Sequence, residues 1–148
     1  GDLSMVIEAY QKSKKYIRSK KILNWTIEAT QGLRALHSNK IIHRDIKPAN
    51  IFLDSHNRIK LGDLGMAKVL SETLRNTRTF TSKAGTYTYM SPEMLNEKPY
   101  SYNTDIWSMG CVVYELNYLK KAFPGNSIER YVDNLNLTDS TLDKLTKK

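Results

Sequence analysis

One segment of the chain constrains the fold more than any other, because residues 103–119 are apolar on nearly every side of a helix. Its apolar residues are Ile106, Trp107, Met109, Cys111, Val112, Val113, Tyr114 and Leu116. A helix that is hydrophobic all round has to be surrounded by other elements. The sequence therefore predicts a buried central helix at about 103–119, with amphipathic elements packed around it.

Two amphipathic helices are predicted before this segment. Asp2 can cap the first, since its carboxylate can accept from the amides of the next turn, and apolar residues follow at helical spacing. The second is predicted over residues 22–37. Its apolar stripe is Ile22, Trp25, Ile27, Ala29, Leu33 and Leu36. The basic stretch 12–21 is predicted to be the loop between the two helices.

Short β-type runs lie between the helices. Residues 41–42 and 51–53 flank a polar segment, and a turn at 54–57 leads to a further run at 58–61, which predicts a small β pairing. Residues 71–90 are rich in Ser and Thr without a clear period, which predicts a long loop. Beyond Pro124 the signal fades: one more helix is expected at 127–135, and residues 129–148 form a weakly patterned tail. The predicted fold class is mostly α with a small β element.

Composition sets outer bounds on the chain. It has 148 residues, 23 Lys and Arg against 15 Asp and Glu, and a net charge of +8, so we expect one domain at most. The single cysteine, Cys111, excludes an intrachain disulfide and any multi-cysteine metal site, which favours a reducing compartment. No apolar stretch approaches the roughly 20 residues that span a bilayer, and we expect a cytoplasmic or nuclear protein without a membrane partner.

The positive charge is concentrated in one early segment. Its cations are Lys12, Lys14, Lys15, Arg18, Lys20 and Lys21. Such a run could contact nucleic acid or acidic partners. The alternative is a solvated helix end and loop, and because no nucleic-acid-binding motif accompanies the run, we do not expect nucleic acid as a partner.

The residues that carry chemistry lie at 43–50, which read H-R-D-I-K-P-A-N, and in the triplet D-L-G that starts at Asp63. Phosphoryl transfer to a hydroxyl needs a proton acceptor, positive charge on the transferring oxygens and a divalent metal that bridges the phosphates. Asp45 can accept the hydroxyl proton, and Lys47 can direct its ammonium at a γ-phosphate. The Asn50 amide oxygen and the Asp63 carboxylate are hard ligands of the kind Mg²⁺ prefers.

The joint pattern is specific. Five fixed residues in H-R-D-x-K-x-x-N match by chance at about one position in a few million if each residue type has a usage near one in twenty. The segment matches the catalytic loop of eukaryotic protein kinases, and the triplet at Asp63 resembles their metal-binding D-F-G. Ser91-Pro92-Glu93 resembles the A-P-E that closes their activation segment, here 63–93, and residues 105–110 resemble their D-x-W-x-x-G. Within that class, residues 43–53 are most similar to the NIMA-related kinases.

The resemblance implies the larger, C-terminal lobe of a protein kinase. Lys47 and Gly85-Thr86 are what serine/threonine kinases carry, so the implied activity is transfer of the γ-phosphate of ATP, with Mg²⁺, to Ser or Thr hydroxyls of protein substrates. No G-x-G-x-x-G loop or V-A-I-K-like lysine precedes the catalytic loop, and the small lobe is therefore read as absent. Lost positioning of the nucleotide predicts little or no turnover by this chain alone. The alternative is a non-catalytic kinase-fragment interaction module.

Site residues follow from the resemblance. The catalytic set is Asp45, Lys47 and Asn50, and the metal ligands are Asn50 and Asp63. Lys47, Asn50 and Asp63 would also bind the nucleotide. Phe52 would form the apolar floor under adenine, and Asp2 would contact the ribose. For Phe52 the alternative is a plain core aromatic, because a β-type apolar run places it inside either way. For Asp2 the alternative is helix capping alone.

Arg44, beside the predicted base, suggests regulation by an activating kinase. A phosphate on the following loop could pair with Arg44 and order the substrate platform. Candidate sites are Thr79, Thr81 and Ser82, of which Ser82 lies where the NIMA-related family carries its activating site. The alternative is that Ser and Thr simply populate a flexible loop. In the family, the residue at Thr86 hydrogen-bonds the base and the lysine. Leu64 replaces the usual Phe, from which we expect altered loop packing without loss of the metal.

Overall fold

The computed structural model describes residues 1–69, 87–96 and 98–124. The helices are α1 (Leu3–Ser13), α2 (Ser19–Ser38), α3 (Pro92–Leu95) and α4 (Asn103–Tyr118). The strands are β1 (Ile41–Ile42), β2 (Ile51–Leu53), β3 (Ile59–Leu61) and β4 (Lys68–Val69), and 3-10 turns lie at Pro48–Asn50, Leu64–Met66 and Tyr87–Tyr89. Most of the predicted loop 71–90, the predicted helix 127–135 and the tail 129–148 lie outside the described residues.

Helix α1 begins at the predicted cap. The Asp2 carboxylate accepts hydrogen bonds from the amides of Ser4, at 2.9 Å, and Met5, at 3.1 Å. The helix ends at Lys14, which adopts a left-handed φ of 52° and donates its own amide to the Gln11 carbonyl. The buried side chain of Leu3 joins α1 to the core.

Helix α2 is longer than predicted and corrects the prediction for the basic stretch. It begins at Ser19, and α1 continues to Ser13, so only residues 14–18 connect the two helices. Lysine has a high helix propensity, and a run of charge does not by itself end a helix. The buried side chain of Ile17 attaches the connection to the core. The predicted stripe is wrong at Ile27, which is exposed because it lies outside the row formed by the buried positions of α2.

The strands form two antiparallel pairs. β2 pairs with β3 as the sequence predicts, with Ile51 opposite Leu61, across the turn at 54–57. β1 pairs with β4, with Ile41 opposite Val69. That second pairing has no local sequence signal because 25 residues separate the two strands.

Helix α4 lies where the central helix was predicted. Met109, Val112 and Leu116 are buried and pack with residues of α1 and α2 in the main core. The helix is not buried all round, however, because Ile106 is 55% exposed and Tyr114 is also exposed. These two side chains lie on the side of α4 that faces away from its packed neighbours. None of the described helices is long and apolar enough to span a membrane.

Candidate active site

The segment 43–50 follows β1 and ends in the 3-10 turn at Pro48–Asn50. Pro48 stands at the start of this turn, where its missing N–H costs nothing. The backbone N–H of Asn50 closes the turn by donating to the Lys47 carbonyl at 2.9 Å. The side chain of Ile46 is buried in the main core. The apolar side chain of the segment thus fixes the loop, while Asp45 and Lys47 remain at its partly accessible side.

Asp45 is held by two neighbours. The Lys47 ammonium donates to Asp45 Oδ2 at 2.7 Å. The side-chain amide nitrogen of Asn50, Nδ2, donates to the same oxygen at 2.8 Å and to the Asp45 backbone carbonyl at 2.8 Å. These bonds fix the orientation of the carboxylate. Within the described residues no donor bonds Asp45 Oδ1, and an ionised carboxylate oxygen can accept a proton.

The two predicted metal ligands lie at the same end of the β2–β3 pair. The Asn50 carbonyl accepts the Gly62 amide at 3.0 Å, which places Asp63 one residue beyond this bond. Because the Asn50 side-chain nitrogen already donates to Asp45, its amide oxygen is the atom left for a cation. Asp63 is exposed, adopts a φ of 55° and accepts a 3.3 Å bond from the Gly65 amide.

This donor set fits Mg²⁺. An amide oxygen and a carboxylate are hard ligands, and Mg²⁺ usually binds through one or two protein carboxylates together with waters and substrate phosphates. In the described part of the chain no group of three His, Cys, Asp or Glu side chains could hold a metal by itself. The ion would therefore share its ligands between Asn50, Asp63, water and the nucleotide.

Phe52 lies on the outer side of β2 and is 41% exposed, which contradicts the alternative of a plain core aromatic. The β-type run places Ile51 inside, and the alternation of strand side chains sends Phe52 to the opposite face. Its ring lies against the Gly62 backbone: a Cβ atom at Gly62 would come within 2.6 Å of Phe52 Cε2. An apolar surface thus lies against the residue that precedes Asp63 in the chain.

Asp2 meets Phe52 through an isolated antiparallel bridge, so the two predicted nucleotide contacts are neighbours. The Asp2 carboxylate also accepts from the Ser4 hydroxyl. Partial burial raises the pKa of Asp2, but the hydrogen bonds from Ser4 and Met5 lower it by more, and the net pKa lies below its ordinary value. The capping function is thus confirmed, whereas the ribose contact stays a prediction.

Asp105 is a positioning residue that sequence reasoning missed. It projects from α4, is fully buried, and accepts the backbone amides of His43 at 2.9 Å and Arg44 at 2.8 Å. Its Oδ2 also lies 2.8 Å from His37 Nε2. A carboxylate at the start of a helix that was predicted to be buried was the available signal, because such a group has to find partners when buried.

His43 joins the catalytic loop to the segment that carries Asp63. Its Nε2 lies 3.0 Å from the Gly62 carbonyl, and its Nδ1 accepts the Asp45 amide at 3.4 Å. Since a carbonyl can only accept, Nε2 is the donor in the bond to Gly62, and Nδ1 is the nitrogen that faces the Asp45 amide. The ring is fully buried, so it holds Asp45 and Gly62 in a fixed relation.

Arg44 is buried, and its guanidinium lies 5.5 Å from the centre of the Tyr100 ring, within cation–π range. Its pairing with a phosphate stays a prediction. The predicted regulatory residues Thr79, Thr81, Ser82 and Thr86 lie outside the described residues.

The end of the predicted loop and the residues after it are attached to α4 by hydrogen bonds. The Tyr89 hydroxyl donates to Glu115 Oε2 at 2.6 Å, and the Ser108 hydroxyl donates to the Tyr89 carbonyl at 2.6 Å. Burial and the adjacent Glu115 carboxylate raise the pKa of Tyr89 well above its ordinary value, so the phenol remains a donor. The Ser91 and Thr104 hydroxyls form a further bond in the buried interior.

Comparisons with known proteins agree with this geometry. The family model of the protein kinase domain matches residues 1–146. Serine/threonine-protein kinase Nek5 of Homo sapiens is 47% identical over 112 residues, which cover 75% of this chain and 15% of that protein. Serine/threonine-protein kinase Nek1 of Mus musculus is 42% identical over 132 residues, which cover 89% of this chain and 11% of that protein.

A yeast relative gives the same result. The G2-specific protein kinase fin1 of Schizosaccharomyces pombe is 38% identical over 147 residues, covering 86% of this chain and 20% of that protein. The chain thus spans between 11% and 20% of the length of these three relatives. Both the family model and the named relatives include the catalytic loop, the strand pair after it and the start of α4. The chain belongs to the protein kinase family and, within it, to the NIMA-related serine/threonine protein kinases.

Proposed function

We propose that this chain forms the larger lobe of a kinase that transfers the γ-phosphate of ATP, with Mg²⁺, to serine or threonine hydroxyls of proteins. The observation that supports this most strongly is the asymmetry of the Asp45 carboxylate. Lys47 and Asn50 bond one oxygen, and no donor among the described residues bonds the other. A carboxylate that is fixed through one oxygen suits a group that receives the proton of an attacking hydroxyl on the other.

Lys47 has two tasks in this proposal. Its ammonium lies 2.7 Å from Asp45 Oδ2 and so stabilises the ionised carboxylate that serves as proton acceptor. From the same loop it can place positive charge against the oxygens of the transferred phosphoryl group, where charge develops in the transition state. Neither task needs the loop to rearrange, because the turn at Pro48–Asn50 and buried Ile46 hold it in place.

Asn50 and Asp63 would hold the metal. Bound Mg²⁺ would neutralise phosphate charge and orient the γ-phosphoryl group. The bonds from Asn50 Nδ2 to Asp45 determine which atom of the amide remains for the ion, and they couple the metal ligand to the proton acceptor. Phe52 would support the adenine ring, and Asp2, its neighbour across the strand bridge, would contact the ribose.

The test uses two measurements on the purified chain and three isosteric variants. A fluorescent ATP analogue reports nucleotide binding with and without Mg²⁺, and labelled ATP with a Ser/Thr peptide reports transfer. The site variants are Asp45→Asn and Asp63→Asn. The matched control is Asp54→Asn, which changes a carboxylate of the turn that bonds His56 and Arg58.

We expect Mg²⁺ to strengthen nucleotide binding in the parent chain and in Asp54→Asn. Asp63→Asn should lose this dependence, since it loses a charged metal ligand. Asp45→Asn should keep nucleotide binding and lose transfer, because an amide does not accept the proton. Transfer by the chain alone is expected to be slow. Transfer that is unchanged in both site variants would contradict the roles given to Asp45 and Asp63. Nucleotide binding that is indifferent to Mg²⁺, without transfer, would favour the non-catalytic module.

A further inference from the structure

A corner of the molecule away from the candidate active site carries an unusual excess of positive charge. We define the basic corner as the end of α1, the connection 14–18 and the first turn of α2. Its cations are Lys12, Lys14, Lys15, Arg18, Lys20 and Lys21. We propose that the basic corner docks an acidic segment of a partner protein.

The charge of the basic corner is not neutralised within the described chain. No Asp or Glu occurs between Glu8 and Glu28. Lys12 pairs with Glu8 at 3.7 Å, but both side chains are highly exposed, and such pairs contribute little. For the other five cations no ion pair exists among the described residues. The field of the corner therefore extends into solvent, where it attracts anionic groups.

The backbone presents these cations in a fixed arrangement. The amides of Lys14 and Lys15 bond the carbonyls of Gln11 and Tyr10 at 3.1 and 3.2 Å, which closes the end of α1. Buried Ile17 attaches the connection to the main core. Because the backbone is already ordered, a partner does not have to supply the free energy of ordering it.

Two exposed apolar side chains lie among the cations and favour a protein partner. Tyr16 is 76% exposed and Leu23 is 58% exposed. Tyrosine and arginine are enriched at the energetic centres of protein interfaces, and an aliphatic side chain such as Leu23 cannot stack on a nucleobase as an aromatic ring does. A membrane-surface helix would need a continuous outward apolar face, whereas the main apolar stripe of α2 is buried in the core. An acidic peptide with an apolar residue matches both features.

A groove lies between α1 and the catalytic loop. It has a volume of about 320 Å³, and its lining includes Ile7, Glu8 and Gln11 of α1, Lys47 and Ala49 of the catalytic loop, and Glu115 of α4. The backbone carbonyl of Gln11 accepts the Lys14 amide at the end of α1. The groove therefore reaches the edge of the basic corner.

The length of α1 sets the spacing. The helix has 11 residues and spans about 16 Å at 1.5 Å per residue. An extended peptide covers that span with about five residues. Gln11 lines the same groove as Lys47, so this span is an upper limit, and a substrate with its acceptor at the catalytic loop could contact the edge of the corner with acidic residues within about five positions. The identification of the partner as a substrate rests on the proposed function, but the acidic contact itself does not.

The test measures peptide binding without nucleotide, so its result is independent of phosphoryl transfer. Fluorescence anisotropy follows a labelled peptide with a block of about six glutamates and one leucine. The corner variant is Lys14→Gln with Lys15→Gln and Lys20→Gln. The control is Lys40→Gln with Lys98→Gln and Lys120→Gln, which removes the same charge from exposed lysines elsewhere. A third variant replaces Lys14, Lys15 and Lys20 by arginine.

We expect the corner variant to bind the peptide about tenfold more weakly, because three exposed ion pairs are lost. The control and the arginine variant should bind as the parent chain does, and binding should weaken from about 0.05 M to about 0.15 M salt. Circular dichroism checks that each variant is folded. If the corner variant does not fold, the peptide affinities of the arginine variant and of the control are compared with that of the parent chain instead. Equal weakening by both glutamine sets would overturn the proposal, as would loss of binding in the arginine variant. Tighter binding of duplex DNA or phosphatidylserine vesicles than of the peptide, at the same salt, would also overturn it.

Discussion

The backbone amide of Arg44 donates a 2.8 Å hydrogen bond to the buried carboxylate of Asp105, 61 residues later in the chain. Arg44 has a φ of 70°, in a left-handed conformation that costs an L-residue roughly 1–2 kcal/mol. The other carboxylate oxygen accepts the amide of His43. Helix α4 thereby holds the residue before Asp45 in a backbone conformation that the local sequence does not favour.

Replacement of Asp105 by alanine should destabilise the chain strongly. Two buried amides would lose their acceptor, and each unsatisfied group costs about 1–3 kcal/mol. We expect the free energy of unfolding in urea to fall by about 3 kcal/mol or more. Glu8→Ala, which removes an exposed carboxylate, is the control and should cost less than about 1 kcal/mol. Similar losses in the two variants would show that Asp105 does not support the catalytic loop.

Gly62 and Gly110 form a matched pair for testing the Phe52 surface. A Cβ at Gly62 would meet the Phe52 ring, whereas a Cβ at Gly110 would meet nothing within 4 Å. Because Phe52 is partly exposed, its ring can move aside in Gly62→Ala, so we expect little loss of stability but weaker binding of an adenine nucleotide. Gly110→Ala should raise the free energy of unfolding by about 0.5–1 kcal/mol, since alanine is favoured within a helix, and leave binding unchanged.

Nucleotide titration and urea unfolding separate the two glycine variants. The interpretation of Phe52 as a nucleotide-facing surface would be wrong if Gly62→Ala bound the nucleotide as tightly as Gly110→Ala does. A loss of stability in Gly62→Ala of about 1–3 kcal/mol, typical of overpacking in a core, would instead place the ring in a confined environment.

The sequence predicted those features that depend on neighbours in the chain. The Asp2 cap, the two amphipathic helices and the β2–β3 pair each follow from a local pattern of capping, period or turn residues. The predicted site residues Asp45, Lys47 and Asn50 lie within hydrogen-bonding distance because a single loop and turn carries all three.

Features that depend on distant contacts were missed. The bonds from Asp105 to the catalytic loop, and the pairing of β1 with β4, join segments with no common local pattern. The exposure of Phe52 was predicted wrongly because a three-residue apolar strand does not show which of its two faces is buried. Ile27 was wrongly predicted to be buried. Its exposure depends on which elements pack against α2, and the hydrophobicity of the side chain does not reveal those contacts.

Asp2 allows capping to be separated from nucleotide binding. Asp2→Ala should lower the free energy of unfolding at neutral pH by about 1 kcal/mol, and Asp2→Ser should restore most of it, because a hydroxyl also caps α1. The folded-state pKa of Asp2 lies below its ordinary value of 3.8. Its contribution is therefore present above that value and is lost as the pH falls through the folded pKa. The parent chain should lose this contribution in acid, whereas Asp2→Ser should not.

Urea unfolding at several pH values measures the Asp2 effect, and nucleotide titration of Asp2→Ser measures the ribose contact. If Asp2 only caps the helix, Asp2→Ser binds the nucleotide as the parent chain does. Weaker nucleotide binding by a fully stable Asp2→Ser variant would support the ribose contact. Equal stability of Asp2→Ala and Asp2→Ser would contradict the capping function.

Cys111 should resist alkylation in the folded chain. Burial, together with the nearby Glu115 carboxylate, raises the pKa of its thiol to about 12, and the thiolate is the reactive form. Because the pKa is raised, the folded state keeps the thiol proton while an unfolded chain begins to lose it near the ordinary value of 9.0. At about pH 8 we expect iodoacetamide to leave the native protein unmodified and to add one group in concentrated urea, as read by mass spectrometry. The chain has one cysteine, so the mass shift is unambiguous. Rapid modification of the native protein would show that α4 exposes this side to solvent.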